Sequence, residues 1–338
     1  MLSASKRETM QSEYEDPGRK IPHSAVILVG PTAVGKTEIS LELAERLNAE
    51  IVSVDSRLFY RGMDIGTAKP SLQDRSRIPH HLIDIAEPDE TVGLATFQRL
   101  ADEAISGIFA RQRLPLLVGG TGQYVSALAG AWVPPSVAPN RRLRAELQRL
   151  CDERGALWLH ERLQTLDHEA AALIDARNSR RTARALEVVL LSGRRFSEQR
   201  ARGSRSFQTI LVGLRRPRAE LYSRVDERIE NMWKAGLLEE ARHLLQAGFD
   251  ESVPAMSAIG YSQCLMVIRG ALTVEDAKAD MRRATRSFVR RQSNWFKNSD
   301  PQLQWFEAGE PDVVSLIEDS VRRVLREIRP NVDSGPTA

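Results

Sequence analysis

The eight residues Gly30-Pro31-Thr32-Ala33-Val34-Gly35-Lys36-Thr37 constrain the fold more than any other stretch of the chain. They satisfy the phosphate-loop pattern G-x-x-x-x-G-K-[ST] at every fixed position. The pattern is short enough to arise by chance as a glycine turn, so its setting decides. Before it, Ala25-Val26-Ile27-Leu28-Val29 is a bare apolar run, the mark of a strand buried on both faces of a parallel sheet. After it, Ile39, Leu43 and Leu47 recur at helical spacing. Strand, loop and helix together make an anion hole, because the loop N–H groups and the helix N-terminus converge on one point. Lys36 adds a positive charge for terminal phosphates, and the Thr37 hydroxyl is placed to ligate Mg²⁺. The expected fold is α/β, a P-loop parallel-sheet core with helices on both faces and an inserted helical domain. The loop is of the nucleotide- and ATP-binding class, but by itself it requires only a di- or triphosphate.

The chain has 338 residues, enough for a large core and two units. No apolar run approaches the ~20 residues of a membrane span, and the polar first 20 residues lack the apolar core of a signal peptide. The two cysteines, Cys151 and Cys264, have no paired spacing, which suits a reducing cytoplasm and offers no zinc site. No protein partner is called for, and a monomer is expected. Net charge is only +3 but unevenly spread. Residues 177–205 hold nine arginines against Glu187 and Glu198, and residues 281–297 hold five arginines and a lysine with no acid. Such clusters suit a polyanion larger than a metabolite. The competing reading is a solvated helix face balanced by acids elsewhere in the fold.

A second strand is predicted at 50–56, ending in Asp55 and Ser56. Ligands of parallel sheets sit beyond the carboxyl ends of the strands, so Asp55 projects toward the crevice of the phosphate loop. It is a candidate general base or metal partner there, or a turn cap. Residues 60–70 read as an active-site loop, 80–85 as a short strand, and 114–118 as another buried strand closed by the glycine turn 119–122. Helices are expected at 38–47, 97–111, 140–153, 156–172 and 177–192, and the strand pattern returns at 209–214. Further helices follow at 218–235, 237–246 and 273–298. The last of these carries Arg282, Arg286 and Arg290 every four residues opposite an apolar stripe of Met281, Ala284, Phe288 and Trp295. The organisation expected is a disordered tail over 1–20, a catalytic core over 21–136 and 206–329, a helical insertion over 137–205, and a loose tail over 330–338.

Several segments, in order along residues 25–298, resemble bacterial tRNA dimethylallyltransferases (tRNA isopentenyltransferases). They are Asp55-Ser56-Arg57, Gly62-Met63-Asp64-Ile65-Gly66-Thr67-Ala68-Lys69-Pro70, His81-Leu82-Ile83-Asp84, Gly119-Gly120-Thr121-Gly122, Ala258-Ile259-Gly260-Tyr261 and Arg290-Arg291-Gln292-Ser293-Asn294-Trp295-Phe296. The chain departs from the family pattern at Leu58 and Phe59, where Gln-Val is usual, and at Gln123 and Ser262. The resemblance implies transfer of a dimethylallyl group from its diphosphate to N6 of the adenine 3′-adjacent to the anticodon of tRNA. It implies that residues 30–37 hold the diphosphate, not a nucleotide. Asp55 would take the N6 proton, while Lys36, Mg²⁺ on Thr37, and Arg224 neutralise the leaving diphosphate. Thr32 would hydrogen-bond the diphosphate. Asp55, Ser56, Arg57, Leu58 and Thr121 would meet the target nucleotide, which must leave the anticodon-loop stack. Arg180, Arg181, Arg184, Arg282, Arg286 and Arg290 would hold the anticodon stem-loop through its phosphates. Three other readings share parts of this pattern. They are a P-loop kinase of a nucleotide or small metabolite, an isopentenyltransferase of free adenine nucleotides, and a non-catalytic RNA-binding nucleotide switch.

Overall fold

The computed structural model describes residues 23–130, 132–133, 135, 137–199, 201–202, 207–293, 295–296 and 300–328. The tails expected at 1–20 and 330–338 lie outside them. Six parallel strands form the central sheet in the order β3-β2-β4-β1-β7-β8. They are β1 (His23–Val29), β2 (Ala49–Val54), β3 (His80–His81), β4 (Leu114–Gly119), β7 (Phe207–Arg215) and β8 (Leu303–Glu307). Between β4 and β7 in sequence, β5 (Trp132–Val133) and β6 (Ala201–Arg202) pair as a small antiparallel ribbon.

The bare apolar run of β1 is explained by burial on both faces. Val26 and Leu28 pack to one side, and Ala25, Ile27 and Val29 to the other. The first face is covered by α1 (Lys36–Arg46), α9 (Arg218–Lys234), α10 (Leu237–Gln246), α11 (Tyr261–Ile268) and α13 (Val313–Ile328). The second is covered by α3 (Leu94–Ala110) and α4 (Gly122–Ala129). Four helices, α5 (Arg141–Arg154), α6 (Ala156–Leu166), α7 (His168–Leu173) and α8 (Ser179–Ser192), carry a separate apolar cluster that includes Leu147, Leu159, Leu163 and Leu186. The remaining helices are α2 (Leu72–Arg77) and α12 (Val274–Ser293).

Three expectations are corrected. The helix predicted over 156–172 is broken at Asp167. This buried carboxylate accepts from the N–H of Ala170 at 3.0 Å, and from the N–H and hydroxyl of Ser197 at 2.8 Å each. A side chain that caps one helix and ties down a distant loop outweighs helical periodicity. The strand predicted over 80–85 stops at His81, because Leu82 and Asp84 take left-handed φ of 63° and 56°. The apolar stripe of α12 is Ala277, Met281 and Val289, joined by the buried Gln292, while Trp295 lies beyond the helix and is exposed. Sequence periodicity also passed over α2, α4, α11, β8 and α13. The first three are only six to eight residues long.

The topology positions the site. Neighbouring strands β1 and β4 end side by side, and their connections leave in opposite directions, β1 toward β2 and β4 toward β7. The phosphate loop follows β1 and the second glycine turn follows β4, so both open on the crevice where the strand order reverses.

Candidate active site

The loop is held by its carbonyls. Lys36 Nζ donates to the carbonyls of Gly30 and Pro31, both at 2.9 Å. Arg224 Nε donates to Ala33 O and Arg216 Nε to Val34 O, each at 2.8 Å. With these carbonyls engaged by side chains, the loop presents N–H groups to the crevice, as an anion hole requires. Gly35 makes the final turn with φ 109°, a conformation that any side chain would strain, and it caps α1. Val34 is fully buried beneath the loop.

In front of the loop lies a cavity of about 720 Å³. Thr32, Ala33, Gly35, Lys36, Thr37, Asp55, Leu58 and Arg224 all line it. These eight were expected to act together, and the fold brings them together from β1, β2 and α9. Burial depresses the Lys36 ammonium to about 8, against the pull of nearby Asp55 and with a further push from the Arg228 guanidinium. Asp55 serves its own turn as well. One carboxylate oxygen accepts from the N–H of Arg57 at 3.0 Å, the cap interaction expected as the bland alternative. The turn is fixed below by Phe59, fully buried and stacked near Phe97 and Tyr124 at ring centroid distances of 6.0 and 5.9 Å. Ser56 and Arg57 are partly exposed beside it and do not line the cavity. Thr121 opens α4 and likewise lies outside the cavity lining.

The loop over 60–70 forms another wall. Glu240 of α10 accepts from three of its successive N–H groups, those of Asp64, Ile65 and Gly66, with shortest distances of 3.0, 2.8 and 3.2 Å. The Tyr261 hydroxyl donates to the same carboxylate at 2.6 Å, and burial with the adjacent Glu240 keeps that phenol protonated. Lys69, its side chain almost wholly buried, binds Asp84 at 2.5 Å, Tyr60 O at 2.9 Å and Asp64. Arg75 takes the second oxygen of Asp84 at 2.7 Å.

Sequence reasoning missed Glu240 and Arg228, and it named Gln292 only within the segment 290–296, without a role. Arg228 lies one helical turn beyond Arg224 on α9 and lines the cavity. Buried Gln292, at the end of α12, accepts from Thr32 N–H at 2.8 Å and donates to Gly120 O at 3.2 Å, tying the two glycine turns together. The heptad spacing of Arg224, Arg228 and Asn231 was the only local signal for Arg228.

The arginines divide into two groups. Arg180, Arg181 and Arg290 are exposed. Arg184 instead binds buried Glu187 at 2.6 Å and Val137 O at 2.8 Å. Arg282 pairs with Glu230, and Arg286 pairs with Asp226 at 2.6 Å beneath its contact with the Tyr222 ring. For Arg184, Arg282 and Arg286 the fold supplies balancing acids. Among the described residues no cluster of three or more His, Cys, Asp or Glu could cage a metal, and no helix is long and apolar enough to cross a membrane.

A family model described as IPP transferase matches residues 58–299. A tRNA dimethylallyltransferase of Roseiflexus sp. (strain RS-1) is 48% identical over 272 residues, covering 80% of this chain and 89% of its own. One from Thermomicrobium roseum is 44% identical over 302 residues, covering 89% and 92%. The crystal structure of the full-length tRNA isopentenylpyrophosphate transferase from Bacillus halodurans matches with a TM-score of 0.68 and 37% identity, covering 90% of this chain and 98% of that one. A eukaryotic dimethylallyltransferase acting on tRNA, at 24% identity, shares the fold with a TM-score of 0.77 over 92% of this chain and 81% of that one.

Proposed function

The chain belongs to the tRNA dimethylallyltransferase family, and we propose that it transfers dimethylallyl from dimethylallyl diphosphate to N6 of the adenine 3′-adjacent to the anticodon in tRNA. One observation carries the reading. A single cavity holds the cationic loop end, with Lys36 and Arg224, and the Asp55 carboxylate at the end of β2, two strands away from β1.

That separation of charge matches the reaction. Adenine N6 is a weak nucleophile, because its lone pair is delocalised into the ring. As its electron pair forms the new C–N bond, the C1–O bond of the prenyl diphosphate breaks and its pair leaves with the diphosphate. The N6 proton passes to Asp55, the carboxylate nearest the carboxyl end of β2. Lys36, Arg224 and the loop N–H groups are fixed in advance around the oxygen where negative charge grows. Thr32 adds a hydroxyl at the loop. Leu58 packs against the site as an apolar contact for the flipped base, with Ser56, Arg57 and Thr121 at its approach.

The donor set fits Mg²⁺ only if the diphosphate brings it. The exposed Thr37 hydroxyl offers one oxygen ligand at the cavity, with no carboxylate cage around it among the described residues. A hard cation that keeps several waters suits such a site, with Thr37 and the diphosphate oxygens as its other ligands. Bound there, it would supply further positive charge to the leaving group.

Exposed Arg180, Arg181 and Arg290 supply charge for the anticodon stem-loop. Arg184, Arg282 and Arg286 act by shaping the elements that carry them. The protein works in the cytoplasm as a monomer on these two substrates.

The test is incubation with labelled dimethylallyl diphosphate and unmodified tRNA, without ATP. Label should appear on one anticodon-loop adenosine. Label on free adenine nucleotides would assign the smaller substrate instead, and ATP consumption without RNA would assign a kinase.

A further inference from the structure

We propose that Gln292 is a positioning residue that fixes the gap between the two substrates, by holding the phosphate loop and the second glycine turn at one separation. The inference rests on the reading that residues 30–37 take the prenyl diphosphate and that Thr121 meets the acceptor nucleotide.

The paired ladder of β1 and β4 ends at Val29 and Gly119, so strand pairing does not set the spacing of the loops that follow. Gln292 spans them. Its side-chain oxygen accepts from Thr32 N–H at 2.8 Å, and its amide nitrogen donates to Gly120 O at 3.2 Å. The two partners leave one way round for the amide, because an N–H must face its oxygen and a carbonyl its nitrogen. The side chain is buried, so water does not replace either bond. The loops therefore change their separation only by breaking one of the two. The turn is shaped to receive this end of the chain. A Cβ at Gly120 would collide with the Gln292 amide, and a Cβ at Gly122 with the Trp295 ring. Gly120 and Gly122 are thus pressed from outside at two points, with Thr121 between them.

The separation matters because the reaction joins two substrates. Thr32 lines the diphosphate cavity, so one end of the amide holds a residue that meets the donor. The other end holds the turn that carries Thr121, at the approach of the acceptor. Transfer needs the attacking nitrogen within about 3–3.5 Å of the prenyl carbon, and a misplacement of about 1 Å costs on the order of 10²-fold in rate. A buried amide with both ends engaged acts as a spacer between donor and acceptor. Exposed Arg290 lies two residues before it on α12, so the helix that meets tRNA phosphates also carries the spacer. The alternative is that Gln292 merely braces the end of α12 against the sheet.

The test is single-turnover transfer from labelled dimethylallyl diphosphate to unmodified tRNA by the wild type, Gln292→Met and Gln292→Glu. Affinities for each substrate and thermal melting accompany it. Gln292→Met keeps the length and removes both hydrogen bonds. Its rate with both substrates saturating should fall about 10- to 100-fold. Its affinity for each substrate should stay within about threefold of wild type. Gln292→Glu supplies a rescue that depends on pH. A protonated carboxyl accepts and donates as the amide does, whereas a carboxylate opposes Gly120 O, and burial favours the protonated form. The ratio of its rate to that of wild type, which cancels the titration of the site itself, should rise about tenfold as pH falls from about 8 to about 6. A brace would lower the melting temperature of Gln292→Met and leave its saturated rate within about twofold of wild type, which overturns the inference. A loss confined to diphosphate affinity and recovered at saturation overturns it as well. If Gln292→Met does not fold, the pH series on Gln292→Glu decides, and a flat ratio rejects the spacer. These outcomes leave the transfer reading standing, whereas failure of the wild type to label tRNA overturns both.

Discussion

Raising the pH from about 7 to about 9 should weaken binding of dimethylallyl diphosphate by about tenfold, through Lys36 alone. Burial lowers its ammonium to about 8, and Arg228 adds to the effect. Relative to the ordinary 10.5, the empty site disfavours the charged lysine by roughly 3 kcal/mol. A diphosphate restores the counter-charge, so it binds the protonated form. The folded value is depressed, so between about 8 and 10.5 the unfolded chain binds more protons. Stability of the ligand-free protein therefore rises with pH across that window, while ligand affinity falls. The opposite signs separate this effect from general alkaline unfolding. Diphosphate ionisation does not interfere, because the last phosphate proton is lost near pH ~6. The assay is isothermal titration in two buffers of different ionisation enthalpy. Near pH ~8, binding should take up about half a proton. The Lys36→Met variant should show weak, pH-independent affinity and no uptake. An affinity flat to above pH ~10, with no proton uptake, would refute the reasoning and show that the buried lysine stays cationic.

Asp55→Ala should lower turnover by about 10²- to 10⁴-fold with diphosphate affinity little changed, and near-normal single-turnover transfer would dismiss Asp55 as the base. Gly66→Ala drives a Cβ into the Tyr261 ring; it should cost about 1–3 kcal/mol in urea unfolding and raise KM, and unchanged stability would show that the loop can shift freely. Glu240→Gln keeps the shape but removes the charge that three N–H groups and a hydroxyl share; it should reduce turnover while leaving tRNA affinity intact, which filter binding would check. Arg290→Ala should flatten the salt dependence of tRNA affinity by about 0.7 in log–log slope for each phosphate left without its cation. Arg282→Ala and Arg286→Ala should lower the melting temperature slightly and leave that slope alone, since their partners are Glu230 and Asp226.

What sequence alone determined is local. The strand, glycine loop and helix over 25–47 are readable because each rests on neighbours: apolar periodicity, a glycine with positive φ, and N–H groups a few residues apart. That Asp55 faces the cavity followed from its place at a strand end, since parallel sheets put ligands beyond that end. The glycine-rich stretch over 60–70 was recognisable as a loop for want of any period. What tertiary structure decided depends on residues distant in sequence. Gln292 reaches Thr32 across 260 positions, and Glu240 reaches Ile65 across 175. No periodicity marks such pairs, because their energy exists only once two elements have packed. The same limit governs charge. A count of arginines from 281 to 297 suggests a phosphate-binding face, yet Asp226 and Glu230 on α9 neutralise Arg286 and Arg282. Arg228 is the converse case. In the sequence it is one more cation on a surface-like helix, and the fold makes it a buried charge that, among the described residues, has no counter-ion of its own.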